Sequence, residues 1–262
     1  MSVRPSVSGL ELRSARSLSP GERAALFNAG YEGYLLPFHV DEEQLALMDD
    51  AFDLDLDASR IAYRDGEPVG LANLGLRGED AWIGGVGVVT SAHRSGVGET
   101  LMRALHEEAR ERGVRRVWLE VIVENTGAFA LYEKLGYELM RDVEVWTLPA
   151  TEGEHSGREV PVPEAKAQLP ERHEPWQRAD GTLSHYTDVR GLVTDSGAML
   201  FCVRTTAQLQ QYAGEPEPLL HALRTYGDAY VLNLPADDPA ATVLRELGGS
   251  VVVRQHEMLL EL

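Results

Sequence analysis

Two short segments carry the residue types and spacing best suited to chemistry. The first is His93-Arg94-Ser95-Gly96-Val97-Gly98, set between an apolar, glycine-rich run and a helical pattern. A turn of this kind converges backbone N–H groups at a helix start, an anion cradle suited to a pyrophosphate. Glycine serves there because a Cβ would block phosphate oxygens, and Arg94 adds a charge-assisted donor. Paired glycines at a strand–helix turn also answer purely steric needs, so the pattern alone leaves both readings open. The second segment is Asn125-x-x-Ala128-x-x-Leu131-Tyr132-x-x-x-Gly136-Tyr137, which begins five residues after Glu120. A dinucleotide-binding turn fails on detail, because Leu101 stands where the third glycine is required. Glu120 also lies inside its apolar run rather than clearly at the end, and the lysine and hydroxyl of a P-loop are missing.

The elements that must position these segments follow from periodicity and punctuation. Leu10 to Arg13 alternates as a short strand. Ser19-Pro20-Gly21-Glu22 starts a helix that runs to about Tyr34, with serine as N-cap and proline at the first helical position. A second helix is predicted over Asp41 to Phe52. Ile61 to Tyr63 and Val69 to Ala72 flank Asp65-Gly66 as a hairpin, and Ala81 to Val89 is a third extended run. Val97, Leu101, Met102, Leu105 and Ala109 share one helical face that Gly113 terminates. Val117 to Val123 reads as a buried strand, Thr126 to Leu135 as a helix stopped by Gly136, and Val143 to Leu148 as a final strand. The order β-α-α-β-β-β-α-β-α-β describes an α/β layered domain over residues 1–148.

Residues 149–185 hold proline and charge without clear period and read as a linker with room for one helix. Residues 186–262 then repeat the first pattern. Asp237, Ala240, Val243, Leu247 and Gly248 follow Asn125, Ala128, Leu131, Leu135 and Gly136 by 112 positions. On that offset Leu232 replaces Glu120 and Leu244 replaces Tyr132. No Gly-x-Gly precedes the second helix, where Ala213-Gly214-Glu215-Pro216-Glu217 stands. A second, smaller lobe of the same architecture but without its chemistry is expected.

Together the glycine turn and the Asn125–Tyr132 segment resemble the GCN5-related N-acetyltransferase (GNAT) superfamily. Its signature is Q/R-x-x-G-x-G/A followed by N-x-x-A-x-x-L-Y, and the likeness covers about residues 8–148. His93 departs from the pattern, falling where the superfamily prefers glutamine or arginine, with Arg94 one place late. The resemblance implies a mixed central sheet, splayed at the cofactor site, and acetyl-CoA as acyl donor. It places the pantetheine arm against the backbone of Val86, Val88 and Val89, with the Val88 amide polarising the thioester carbonyl. The pyrophosphate falls over Arg94, Ser95, Gly96, Val97, Gly98 and Glu99. Asn125, Ala128 and Tyr132 approach from the other side. Tyr132 matches the tyrosine that protonates the departing thiolate, a task a phenol near pKa ~10 can perform. The run Leu119-Glu120-Val121 resembles ribosomal-protein alanine acetyltransferases, in which the matching glutamate is the base.

The resemblance leaves the acceptor as a small-molecule or peptide primary amine. Two other readings stay open: a non-catalytic acyl-CoA-binding or sensing protein, and a tandem acetyltransferase of the mycothiol-synthase kind. Between Asp41 and Asp57 stand eight acidic residues and no basic one, either a rim that attracts cationic amines or a solvated helix face. Tyr31, Tyr34 and Trp82 serve equally as pocket walls or as core.

Composition narrows the class further. The 262 residues include 24 basic and 42 acidic ones, a formal net charge of −18. The acidic excess runs through both halves, which argues against binding a phosphate backbone and so against a nucleic-acid partner. No apolar run approaches the ~18 residues of a membrane span, and the first residues lack the order of a signal peptide. A cytoplasmic protein, monomer or homodimer, is expected. Its single cysteine, Cys202, lies in an apolar run and reads as a core thiol. The eight histidines show no paired ligand spacing, so no metal is expected.

Overall fold

The structure, a computed structural model, describes residues 9–33 and 39–262. Its strands are β1 (Leu10–Ser14), β2 (Arg60–Arg64), β3 (Glu67–Arg77), β4 (Asp80–Val88), β5 (Arg116–Ile122), β6 (Glu138–Leu148), β7 (Arg158–Val160), β8 (Val189–Thr194), β9 (Gly197–Val203), β10 (Ala207–Gly214), β11 (Ala229–Pro235) and β12 (Ser250–Glu261). Its α-helices are α1 (Pro20–Gly30), α2 (Glu42–Ala51), α3 (Val97–Glu111), α4 (Thr126–Lys134), α5 (Val162–Lys166), α6 (Asp180–Ser184), α7 (Pro216–Leu223) and α8 (Pro239–Glu246). Among the described residues no helix is long and apolar enough to cross a membrane.

Local chemistry explains where the first helices begin. Ser19 accepts from the Glu22 N–H, and the Glu22 carboxylate accepts from the Ser19 N–H at 2.8 Å, closing a capping box with Pro20 at the first helical position. Asp41 and Gln44 close the same box on α2, at 2.8 and 3.0 Å. The described part of α1 ends at Gly30. Tyr34, where the sequence pattern carries this helix, lies outside the described residues.

The chain forms two compact units. Unit 1 runs to Leu119 and adds Thr126–Glu138 and Met258–Leu262; unit 2 comprises Glu120–Asn125 and Leu139–Glu257. In unit 1 the strand order is β1-β2-β3-β4-β5, antiparallel until β4 meets β5 in parallel. Gly70 of β3 faces Val97 and Leu101 of α3, whereas Leu71 belongs to the core under α1 and α2. Alternation along β3 therefore puts α3 on one face of the sheet and α1 with α2 on the other. At the far end of the sequence, Leu262 N–H donates to the Arg115 carbonyl at 2.8 Å, within unit 1.

Unit 2 repeats this element order from Arg158 onward. β7 pairs antiparallel with β8, β8 with β9 and β9 with β10, and β10 then runs parallel to β11. α5 and α6 stand where α1 and α2 stand in unit 1, and α7 and α8 where α3 and α4 stand. Phe201 enters the core with Leu219 and Leu244, while its neighbour Leu200 packs with Ala165 and Leu183 on the opposite face.

Two sequence boundaries differ from these units. β6, read as the closing strand of residues 1–148, falls almost wholly in unit 2, because it pairs with β11 from Leu148↔Ala229 to Val143↔Pro235. The segment read as a linker, 149–185, contains β7, α5 and α6, the opening elements of the second lobe. Helices of five residues are too short to show a period, and that is why the pattern missed them.

One buried pair makes unit 1 sensitive to acid. The Tyr137 phenol, pushed well above 10 by burial and then by Tyr132, stays protonated and is hydrogen-bonded to His106 Nε2 at 2.9 Å. Burial, followed by the charges of Arg110 and Arg103, pushes the His106 imidazole down to about 4. The unfolded chain takes up this proton near pH ~6.5 and the folded chain only near its lowered value, so stability held at neutral pH is lost as pH falls. Between pH 7 and pH 4.5 the wild type should lose about 2 kcal/mol more than His106→Gln, read from urea unfolding at the two values. Parallel losses in the two proteins would show that this histidine does not set the dependence.

Candidate functional site

The site in unit 1 begins with a fault in β4. Ala72 of β3 faces Val86 and Leu74 faces Ile83, so Gly84 and Gly85 together oppose Asn73 as a β-bulge. Gly85 has φ +114°, and a Cβ there would sit 2.8 Å from the Tyr31 hydroxyl. Tyr31 stacks on Phe27 with ring centroids 4.7 Å apart, and Trp82 meets Phe52 edge-on at 5.3 Å. Opposite the bulge Asn73 is 1% exposed, and its amide nitrogen and oxygen have no partner among the described residues.

Beyond the bulge the backbone of β4 is offered to one side. Val89 N–H donates to the Val69 carbonyl and so points at β3. By alternation Val86 and Val88 turn their N–H groups to the other edge. On that edge the parallel ladder with β5 covers three pairs and ends at Trp82↔Trp118. The Val88 carbonyl is taken by His93 Nε2 at 2.8 Å, which gives the departing residue of the turn a local task. Of the three expected backbone contributors, Val86 and Val88 face the edge that is unpaired among the described residues, and Val89 does not.

The turn itself alternates backbone hand. Arg94 (φ +54°) and Gly96 (φ +81°) are both left-handed, and Gly96 is the N-cap of the 15-residue α3 without any side-chain cap. This nest of N–H groups at a helix start can hold an anion. Ser95 Oγ donates to the Ala92 carbonyl at 2.6 Å and accepts from Arg64 Nη2 at 3.0 Å, bracing the turn. Glu99, in the first helical turn, would repel a phosphate. Hydrogen bonds from Lys134 (2.6 Å) and Arg103 (2.8 Å) offset its charge and hold its carboxyl below the usual range. Arg94 is exposed, and Val97 is buried against Gly70.

Tyr132 and Ala128 lie on α4 in unit 1, with Gly98 approaching Leu131 of the same helix. Tyr132 is 9% exposed, and its ring leans on Tyr137 at 5.8 Å. Glu120 and Asn125 belong to unit 2, on the chain that joins β5 to α4. Asn125 N–H closes a turn onto the Ile122 carbonyl at 2.8 Å. The Glu120 carboxylate accepts from Gln177 Nε2 at 3.2 Å. Sequence reading missed Gln177, because it lies in a stretch with neither period nor motif.

A second split occurs in unit 2. The β10–β11 ladder also covers three pairs, ending at Leu209↔Val231, and β10 carries its own irregularity between Leu209 and Gln211. Here Arg178, 0% exposed, bridges the two strands. Its Nε donates to the Gln210 carbonyl at 2.6 Å, and its Nη1 reaches the Leu232 and Asn233 carbonyls at 3.4 and 3.5 Å. Counted from the last ladder pair, Asn233 rather than Leu232 occupies the register of Glu120.

The acidic run has mostly structural partners. Asp41 caps α2, Asp49 pairs with Arg23, Asp53 with Arg77 at 2.6 Å and Asp57 with Arg16 at 2.8 Å, while Asp55 accepts from the Asp57 and Ala58 N–H groups. Cys202 is fully buried and its thiol is pushed up to about 11, chiefly by burial. Among the described residues no group of three histidine, cysteine or carboxylate side chains is placed to hold a metal.

Comparison with known proteins decides the family. Residues 26–137 match the acetyltransferase (GNAT) family. This segment is a GNAT domain. The [ribosomal protein bS18]-alanine N-acetyltransferase of Escherichia coli (strain K12) is 39% identical over 59 residues, 22% of this chain and 40% of that relative's length. The chain thus spans less than half of the curated relative it matches. In fold, the chain is similar to a putative acetyltransferase from Pyrococcus horikoshii, with TM-score 0.69 and 20% identity over 97% of this chain and 90% of the other. A tandem GNAT protein from the clavulanic acid biosynthesis pathway aligns with TM-score 0.66 and 15% identity over 96% and 98%. Both cover the two units, so the GNAT-like architecture extends past the family segment.

The GNAT segment also explains a packing constraint. A Cβ on Gly30 would lie 2.8 Å from Gly87 Cα and 3.2 Å from Val88 N, backbone that cannot rotate away. Gly30→Val should force α1 off β4 and lower stability by about 1–3 kcal/mol. Gly127→Ala, with open space around it, should be near neutral in the same thermal melts. Equal melting points for the two variants would mean that α1 does not rest on β4.

Proposed function

We propose that the chain is an acetyl-CoA-dependent N-acetyltransferase that moves the acetyl group directly to a primary amine. The observation that carries this reading is the pairing, in unit 1, of a left-handed N–H nest on α3 with an unpaired strand edge just before it. Gly96, Val97, Gly98 and Glu99 N–H groups suit the pyrophosphate, with Arg94 as an added cation. Val86 and Val88 suit the pantetheine amides and the acyl oxygen by the same backbone donors. Ser95 holds the turn, while Asn125 and Ala128 complete the second GNAT segment. Acetyl-CoA supplies an activated thioester.

The roles of the side chains follow from proton bookkeeping. An ammonium must lose a proton before its nitrogen attacks, and Glu120 takes it, directly or through water. The departing thiolate needs a proton, and Tyr132 provides it. The acceptor is a small-molecule or peptide amine. The E. coli relative directs attention first to alanine-initiated peptides. With so much of the acidic run engaged by arginines and backbone, it adds little to acceptor choice.

One donor site per chain is expected. In unit 2 the corresponding split between β10 and β11 is filled by the Arg178 guanidinium, and α7 is entered through Glu215-Pro216 without a glycine nest. Titration calorimetry with coenzyme A should give one site, and two equivalent sites would defeat this part of the reading. Gly96→Glu should fold and lose that binding, since it adds bulk and negative charge at the nest.

Thiol release from acetyl-CoA, measured over alanine-initiated peptides and small amines, tests the activity itself. Tyr132→Phe should lower turnover by roughly 10²–10⁴ with little change in acetyl-CoA affinity. A protein that binds coenzyme A in full yet acetylates nothing in the panel would be a binding module instead of an enzyme.

A further inference from the structure

Glu120 ends a chain of three side-chain amides, all supplied by residues after 176. Gln177 Nε2 donates to the Glu120 carboxylate at 3.2 Å, Asn233 Nδ2 donates to Gln177 Oε1 at 2.9 Å, and Gln255 Nε2 donates to Asn233 Oδ1 at 2.8 Å. We infer that Gln177, Asn233 and Gln255 form a positioning relay that fixes the carboxylate of Glu120 for proton transfer from the acceptor amine. The inference rests on the proposed role of Glu120 as base.

The direction of the relay is dictated from one end. A carboxylate only accepts, so Gln177 must present its NH₂ group and thereby turns its oxygen toward Asn233. Asn233 must then donate, which leaves its own oxygen for Gln255. No amide in the chain can flip without placing two donors or two acceptors face to face. Each carbonyl that accepts also polarises its NH₂ group, so the donors strengthen toward Glu120.

The surroundings hold each member in place. Gln177 sits in the short 3₁₀ turn Trp176–Arg178, and both ends of that turn are tied. Thr182 Oγ1 donates to the Trp176 carbonyl at 2.6 Å, and Gln211 Nε2 donates to the Arg178 carbonyl at 2.8 Å. Asn233 is 3% exposed and left-handed, with φ +47°, at a bulge where Leu232 and Asn233 oppose Val145 of β6. Asparagine tolerates that backbone conformation better than most residues. Burying three amides is costly unless each is bonded, and here the bonds run unbroken to a carboxylate. The charged groups on the neighbouring elements are engaged elsewhere. Arg178 is spent on carbonyls and on Glu174 at 3.5 Å, Arg254 on Glu144 at 2.9 Å, and Glu257 on Arg141 at 2.6 Å.

Two arms on the 262-residue chain test the relay. The first follows the Glu120 side-chain carboxyl by ¹³C NMR, its signal identified by loss in Glu120→Gln. Gln177→Met keeps length and volume but removes the donor, so the titration midpoint of Glu120 should move to higher pH. Gln255→Met, at the far end and less buried, should move it the same way and less. A Glu120 signal unmoved by both variants overturns the inference. The second arm uses an alanine-initiated peptide and acetyl-CoA. Gln177→Met should lower kcat about tenfold, a part of the roughly 10²–10⁴ that a positioned base contributes, with the acetyl-CoA KM within about twofold. Added to Glu120→Gln it should cost nothing further, because the residue acts through that carboxylate. Full additivity in the double variant overturns the relay. If Glu120→Gln alone leaves turnover intact, the base assignment fails, and the NMR arm still decides whether the amides hold the carboxylate.

Discussion

The constraint on which the rest depends is the failure of one β-ladder to continue. β4 is paired on both edges only as far as Trp82, where its parallel contact with β5 stops. Immediately afterwards Gly84 and Gly85 insert one residue too many against β3. Backbone N–H and C=O groups in a sheet interior must find partners. A strand that leaves its ladder there while keeping its other neighbour presents a row of donors and acceptors to a ligand. The glycines allow this. Gly85 takes a left-handed φ, Gly87 admits α1 to backbone contact, and Gly96 ends the stretch in a nest at the start of α3. On the proposed reading the acyl donor is recognised mainly by backbone, and the histidine at position 93 fits that turn by bonding the Val88 carbonyl.

The second unit meets the same constraint with a different answer. Its parallel ladder also stops after three pairs, yet the freed carbonyls of Gln210, Leu232 and Asn233 receive the guanidinium of Arg178. A buried arginine is expensive unless it is bonded and paired; here carbonyl oxygens take Nε and Nη1, and Glu174 places a negative charge 3.5 Å from Nη2. The residue that closes this split belongs to the same turn as Gln177. One three-residue turn therefore fills the opening in unit 2 and holds the carboxylate of Glu120.

Much of this was legible in the residues, and the illegible part has physical causes. The capping box at Ser19, the Asp65-Gly66 hairpin and the apolar face of α3 are local signals, and each appears where its pattern lies. The repeat of architecture was visible because α7 and α8 keep their apolar spacing. The boundaries were not, because strand exchange between compact units is a matter of pairing, and nothing local in Val143 to Leu148 specifies β11 as its neighbour. Position 232 was matched to Glu120 by counting along the chain at the helix offset, but the parallel ladders start at Arg116 and Ala229, one residue further apart, which puts Asn233 in the register of Glu120. The bulge in β4 left a trace, the run Gly84-Gly85-Val86-Gly87, which reads as a strand and says more as an interrupted one. Gln177 left none, since a lone glutamine in a proline-rich stretch has no spacing to announce it.

Asn73 shows what the interruption costs. It opposes the bulge on the face of β3 shared with Leu71, is buried, and has neither amide atom bonded within the described structure. A buried amide without partners forfeits about 1–3 kcal/mol, a sizeable fraction of the stability of a typical domain. Had β4 run straight, position 73 would have faced one residue across a regular ladder, and an apolar side chain would have served better. The packing of Tyr31 over Gly85 and Trp82 over Gly84 leaves no room to relieve the bulge by a simple shift. The sheet thus carries a local penalty at the place where its backbone opens, and the well-packed core under α1 and α2 makes that penalty tolerable.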